Sequence, residues 1–257
     1  MNKDLKYFLT LCLFFGLFFI AKEVFFAKIY YRVESVVHLY PLSFFLAYAV
    51  VGLPAFIFVF FANQYKLFAP LGLKSNLVKG FLFAFLFSIP MFIGYGIFAD
   101  FKPHLEWKNF WFMCVFAAFF EELYYRGFFF GQLFKNTRFG FFISLIISAL
   151  VFASLHLYQS NDLLTLIGIF MTTFMGAGLF AWLYVEWNYN LWLPVALHFF
   201  MNLSWEIFAV SDNALGGLEA NLIRGLTVLL AITGTLFYKK KQNIPLAVNR
   251  DTLWMKK

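Results

Sequence analysis

The chain has 257 residues, of which 63% are hydrophobic and 13% charged, with a formal net charge of +7. A soluble domain carries about 25% charged residues, so this composition, with 41 Phe, excludes a protein that covers its surface in water. The positive charge does not point to nucleic acid either, because most Lys and Arg fall between apolar runs or in the tail, where they meet anionic lipid headgroups.

Runs such as Phe8–Ile20, Phe44–Ala62 and Leu77–Ala99 reach or approach the roughly 20 residues that cross hydrocarbon as a helix. They do not alternate apolar with polar residues, which excludes a membrane barrel. Lys3 and Lys6 before the first run resemble a signal peptide. The run is long and no small-residue cleavage site follows, so a first membrane helix that stays attached is expected. The pattern predicts about eight spans, at roughly 6–28, 42–62, 76–99, 109–134, 139–157, 162–187, 191–210 and 219–238. Tyr40-Pro41, Ala69-Pro70-Leu71-Gly72 and Lys102-Pro103-His104 separate the first four. Asn161-Asp162 can cap the sixth, and Asn188 to Asn190 form a polar corner before the seventh, with Pro194 in its first turn. Pro54 and Pro90 are expected to kink the second and third spans. Lys22 and Glu23 near the end of the first read as snorkelling side chains, and Cys12 and Cys114 as free thiols. Trp107, Trp111, Trp182, Trp187 and Trp192 fall near span ends and read as an interfacial belt.

With the N-terminus inside, the inner segments hold thirteen basic residues: Lys3, Lys6, Lys66, Lys74, Lys79, Lys135, Arg138, Lys239, Lys240, Lys241, Arg250, Lys256 and Lys257. The outer segments hold four, Lys28, Arg32, Lys102 and Lys108. This bias places both termini in the cytoplasm. The expected architecture is all-α, a polytopic transmembrane bundle forming one integral membrane domain over 1–257, with core helices at about 109–210. A short chain without appended domains fits a bacterial inner membrane.

Ionisable groups at membrane depth cost several kcal/mol unless paired or hydrated, so each is a candidate functional residue. The fourth span contains Glu121-Glu122-Leu123-Tyr124-Tyr125-Arg126. Glu122 and Arg126, four apart, share a helix face and can form an ion pair. Glu121 points about 100° away and is left free to accept a proton as a general base. A structural Glu–Arg clamp is the plainer alternative. Phe152 and His156 end the fifth span; alone, such a His is more often an interfacial or core residue. His198 and Asn202, four apart in the seventh span, face the same way, and interhelical hydrogen bonding would explain them equally well. Gly127 and Gly131, with Gly176 and Gly178, would let the fourth and sixth spans pack closely.

Together these residues resemble the CAAX-protease and bacteriocin-processing (ABI, CPBP) intramembrane proteases, which include the type II CAAX prenyl endopeptidases. The family pattern is Glu-Glu-x-x-x-Arg, Phe-x-x-x-His and His-x-x-x-Asn, read here as Glu121-Glu122…Arg126, Phe152…His156 and His198…Asn202. The resemblance covers about residues 109–205. It implies an endopeptidase acting on a membrane-associated or lipid-modified peptide. Glu121 would activate water, His156 would orient it, and His198 and Asn202 would stabilise the oxyanion. Glu122 and Arg126 would hold their helix in register, and Phe152 would pack the site. Metal-free chemistry is the expectation; a zinc ion, if used, would take Glu121, His156 and His198, although no His-Glu-x-x-His pair is present. The partners expected are membrane lipid and a peptide or lipidated-protein substrate. Two other readings stay open: a proton-coupled transporter using the same charges, and a non-catalytic immunity or scaffold member of the family.

Overall fold

Apolar runs bounded by Gly, Pro and Asn fold as helices along the chain. The computed structural model describes residues 3–102 and 105–256, so the Pro103-His104 part of the predicted break lies outside the described residues. Helix α1 covers Lys3–Val37 and runs through Lys22 and Glu23 without a break, well past the predicted end of the first span. Its exposed Leu5, Leu9, Leu13 and Leu17 recur every four residues and form an apolar stripe suited to lipid. Helices α2 (Tyr40–Val51) and α3 (Leu53–Ala62) meet at Gly52 with a bend of 54°. The bend has an identifiable cause. The Tyr124 hydroxyl donates to the Tyr48 carbonyl at 2.8 Å, and a Cβ at Gly52 would overlap that hydroxyl. Pro54 sits in the first turn of α3, where its missing N–H is harmless. Helix α4 (Leu77–Phe98) is capped by the Asn76 side chain and continues through Pro90.

The next helical run covers 107–136 in five pieces: α5 (Trp107–Asn109), a π-helical stretch Phe110–Phe116, α6 (Ala117–Glu121), a second π-helical stretch Glu122–Phe130, and α7 (Gly131–Asn136). Helix α8 (Phe141–Ser154) ends in a turn that carries His156, followed by a short 3-10 turn, Leu157–Gln159. Helix α9 (Leu163–Glu186) is capped by Asp162, whose carboxylate accepts from the Thr165 amide at 2.9 Å. Helices α10 (Trp192–Ile207) and α11 (Leu218–Lys241) complete the bundle.

Among the described residues five helices are long and apolar enough to cross a membrane, or six if the bent α2–α3 pair counts as one span. The fold is therefore an all-helical membrane bundle, with fewer qualifying spans than the predicted eight. The shortfall falls on the 107–136 run and α10, the segments that carry Glu121, Glu122, Arg126, His198 and Asn202. Helix α10 is only 16 residues long, and the 107–136 run alternates α- and π-helical pieces.

Helix α4 packs on α10 and α11, α1 on α2 and α3, and α8 on α9. The 107–136 run is enclosed between these groups, and every residue from Glu122 to Phe130 is buried. Aromatic rings fill the space around it, with Phe15 stacked on Phe129 at 4.1 Å and Tyr48 on Phe120 at 4.2 Å between centroids. A Cβ at Gly127 would come within 3.0 Å of the Leu71 carbonyl, and one at Gly131 within 2.6 Å of the Arg126 carbonyl and 3.2 Å of the Tyr184 ring. These two glycines allow the close approach expected of them. Gly176 does not, since it faces open space, and Gly178 makes only an ordinary contact with Leu145. Trp187, expected in an interfacial belt, is instead buried and donates to Thr235 at 3.0 Å.

The tail after α11 folds back onto the bundle. The carbonyls of Trp254, Thr252 and Leu253 accept from the amides of Gly140, Phe141 and Phe142 at 2.6, 2.8 and 2.9 Å. They satisfy amides at the start of α8 that no side chain caps. Glu186, buried at the end of α9, receives Lys239 Nζ at 2.5 Å and the amides of Ala247 and Val248 at 3.0 and 2.8 Å.

Candidate active site

The second π-helical stretch begins at Glu122, immediately after the α-helical turn that ends at Glu121. The two carboxylates face different surroundings. Glu122 is 0% exposed. Its Oε2 lies 3.1 Å from Arg126 Nε and its Oε1 lies 2.8 Å from His198 Nδ1. The Arg126 contact does not align the N–H with the oxygen, so it acts mainly through charge; Arg126 Nη1 and Nη2 have no hydrogen-bond partner among the described residues. The guanidinium carbon sits 4.1 Å from the Phe152 ring centroid and 5.5 Å from that of Phe180. Both aromatic faces attract the cation, and such contacts strengthen when water is excluded. Phe180 also stacks on the His198 ring at 5.4 Å and 22°. Beside Arg126, an ionised Glu122 can only accept, so the proton of the 2.8 Å contact belongs to His198 Nδ1. The second ring nitrogen, Nε2, is then directed elsewhere.

Glu121 is half-buried. It lines a cavity of about 170 Å³ together with Lys22, Tyr48, Tyr125, His156 and Tyr158. His156 Nδ1 lies 2.9 Å from the Phe152 carbonyl. A carbonyl can only accept, so Nδ1 is the donor and Nε2 is free to hold a water. The Phe152 ring, 4.6 Å from the His156 ring, closes the turn on that side. Asn202 is held from the other direction: its amide donates at 2.8 Å to the Met113 carbonyl in the first π-helical stretch.

The candidate residues therefore form two adjoining groups. Glu121 and His156 share the cavity, while Glu122, Arg126 and His198 form a closed ionic cluster backed by Phe152 and Phe180. Asn202 ties α10 to the start of the 107–136 run. His198 and Asn202 are not among the residues lining the cavity. The zinc set Glu121, His156 and His198 does not assemble in this conformation. Among the described residues no three His, Cys, Asp or Glu lie where they could hold a metal ion. The nearest acid to His198 is Glu122, which Arg126 already engages.

Three contributors were not assigned from the sequence. Lys22 lines the cavity while its ammonium pairs with Glu23 at 3.3 Å. A cation in an apolar span was a visible signal, but helix packing decides which way it faces. Phe180 and the Met113 carbonyl carried no signal, since one is an apolar residue among many and the other is backbone.

A buried acid–imidazole–guanidinium cluster thus lies beside a cavity lined by a second acid and imidazole, within an apolar helical bundle of the kind that forms an integral membrane protein. Residues 103–204 match the family model described as Type II CAAX prenyl endopeptidase Rce1-like, so this segment of the chain is similar to the CAAX protease family. The match spans all three motifs and supports a membrane protease at the level of the family. No curated protein and no solved structure matches the chain.

Proposed function

We propose that the chain is an intramembrane endopeptidase in which Glu121 and His156 activate a water and His198 and Asn202 stabilise the oxyanion. The observation that carries this reading is the unequal use of the two glutamates. Glu122 is engaged by Arg126 and His198, whereas Glu121 faces the cavity that His156 also lines. A general base must reach its water and have capacity to take a proton, and only Glu121 has both. His156 Nε2 would accept one hydrogen of the water and direct its lone pair toward the scissile carbonyl. The carbonyl oxygen becomes an oxyanion as the tetrahedral intermediate forms, and preorganised donors at that position usually accelerate acyl transfer more than any other single effect. His198, fixed through Nδ1 by Glu122, would present Nε2–H when protonated, and the Asn202 amide would supply a second donor. The proton taken by Glu121 then passes to the leaving amine as the C–N bond breaks.

The substrate is a membrane-associated or lipid-modified peptide, prenylated CAAX-type peptides included. In this reading the helices make eight spans with both termini cytoplasmic, the 107–136 run and α10 crossing under the cover of their neighbours. The test is cleavage of a prenylated C-terminal peptide and of a bacteriocin-type leader peptide by purified wild type, Glu121→Ala and His198→Ala, with and without chelator. Cleavage by wild type that both variants lack supports the assignment. Equal cleavage by all three refutes it, and loss of wild-type activity with chelator returns a metal to the mechanism.

A further inference from the structure

The cavity that holds Glu121 and His156 also holds a cation that the proposed chemistry does not use. Lys22 reaches its wall from α1, opposite residues of the 107–136 run and the turn after α8. Tyr48 of α2 and Tyr125 of the second π-helical stretch line the same space. The Tyr124 hydroxyl is committed to the Tyr48 carbonyl at 2.8 Å. The Tyr48 and Tyr125 hydroxyls, by contrast, have no hydrogen-bond partner among the described residues. Each can donate one hydrogen bond, and the Lys22 ammonium can donate three.

The charges around these donors have an order. Glu121 and Glu23 both act electrostatically on the Tyr48 and Tyr125 hydroxyls, so the two tyrosines neighbour both acids. Lys22 Nζ lies 3.3 Å from Glu23 Oε1, which puts the ammonium at the same wall. Among the described residues Lys22 pairs with Glu23 and not with Glu121. The Lys22–Glu23 pair is loose. Its side chains are 33% and 57% exposed, adjacent positions on a helix point about 100° apart, and exposed pairs of this kind contribute little. The ammonium can therefore exchange Glu23 for another anion. A sphere of the cavity's volume, about 170 Å³, is roughly 7 Å across, the length of about two residues of extended chain.

A peptide bond and its water, seated at Glu121 and His156, satisfy the acid and the imidazole. They leave an ammonium and two phenol donors beside them, and a group with two acceptor oxygens and a negative charge suits that set. We propose that Lys22 is a specificity residue that receives a carboxylate of the substrate, either the chain terminus or an Asp or Glu side chain, about two residues from the scissile bond. Tyr48 and Tyr125 supply further donors to it. This rests on the reading of Glu121 and His156 as the catalytic pair. Glu121 repels a carboxylate placed beside it, and Lys22 is the one Lys or Arg among the described lining residues, so the charge is drawn to the Lys22 side. Glu23 holds the ammonium until the substrate arrives and then turns to solvent.

The test compares peptides that differ only in the charge. Wild type, Lys22→Met, Lys22→Arg and Glu23→Gln in detergent are given a prenylated C-terminal peptide as the free acid and as the C-terminal amide, and two amidated versions ending in Glu or in Gln. Wild type should favour the acid of at least one pair by about tenfold or more in kcat/KM, the scale of one hydrogen bond to a charged group. The pair that responds identifies the source of the carboxylate. Lys22→Met should bring that ratio to about unity, and Lys22→Arg should keep it. Glu23→Gln, a change at an exposed side chain, should raise it by lowering KM for the acid, and a ratio there that stays level or falls overturns the proposal. So do wild-type ratios near unity in both pairs, or a preference that Lys22→Met leaves intact. Binding is read apart from cleavage on Glu121→Gln protein, by anisotropy of the same peptides carrying a neutral N-terminal fluorophore. If wild type cleaves none of them, yet the acid binds about tenfold tighter than its neutral counterpart and adding Lys22→Met abolishes the difference, the carboxylate site stands and the protease reading is what fails. Equal binding of acid and neutral peptides overturns the carboxylate site itself.

Discussion

Replacing Glu122 with Gln removes one charge from a cluster with almost no contact with solvent, where Glu122 is 0% and Arg126 2% exposed. Removing one partner of a buried ion pair destabilises by about 3–5 kcal/mol, because the other charge is left uncompensated. The Phe152 and Phe180 faces at 4.1 and 5.5 Å still hold the guanidinium and offset about 2 kcal/mol of that loss. A net destabilisation of about 1–3 kcal/mol is expected for Glu122→Gln. Arg126→Met should lose less, since Glu122 keeps His198. The double variant should lie within about 1 kcal/mol of wild type, because a buried pair replaced by matched neutral groups is often near neutral. Thermal unfolding in detergent reads the difference: about 2–4 °C per kcal/mol for a chain of this size makes the Glu122→Gln shift about 2–12 °C. The decisive quantity is the coupling between the two substitutions. If their effects add to within about 0.5 kcal/mol, Glu122 and Arg126 do not support one another and the cluster is not what holds His198.

Two further outcomes concern the tail. Glu186→Ala leaves Lys239 buried without its acid and frees the Ala247 and Val248 amides, so a loss of about 3–5 kcal/mol and faster proteolysis within 244–256 are expected; unchanged stability and protection would remove Glu186 from the latch. Burial pushes the Lys256 amine below the ordinary lysine range, with Asp4 opposing the shift. Its folded-state affinity for protons is therefore lower than in the undocked tail, so docking strengthens as pH rises through the window between the lowered value and about 10.4. Amide exchange of the tail should slow relative to an undocked reference peptide across that window, and protection that falls instead would contradict the sign.

The helical class and the approximate helix positions were legible because apolar runs, Pro and Asn punctuate this chain strongly. Asp162 and Asn76 cap helices for reasons visible in their types and neighbours. The number of qualifying spans was less legible. Helix α10 has 16 residues and the 107–136 run is divided into five helical pieces, so neither is by itself a long uninterrupted apolar helix. The Glu122–Arg126 spacing pointed to a pair, but the partner of His198 did not follow from spacing. Glu121 and Glu122 are adjacent in sequence, and only the packing of α10 against the second π-helical stretch gives His198 to Glu122. Lys22 shows the same gap from another side, since its type was informative and its direction was not.

The junction between α6 and the second π-helical stretch explains how adjacent glutamates take separate environments. A π turn bonds each amide to the fifth residue back and is uncommon over nine residues, and such turns cluster at functional sites. Here the Gly131 amide reaches the Arg126 carbonyl, and a side chain at residue 131 would crowd that carbonyl at 2.6 Å. The widened turn keeps Glu122 and Arg126 adjacent while the preceding α-helical turn aims Glu121 at the cavity. A regular α-helix would also separate the two carboxylates by about 100°, but it would give up the register in which Gly127 meets the Leu71 carbonyl and Gly131 meets Tyr184. The irregular backbone is tolerated because bundle packing, not lipid, surrounds it, which is the condition under which non-ideal backbone persists at membrane depth. The same enclosure seats Glu122 against Arg126 and His198 and leaves Glu121 facing the cavity.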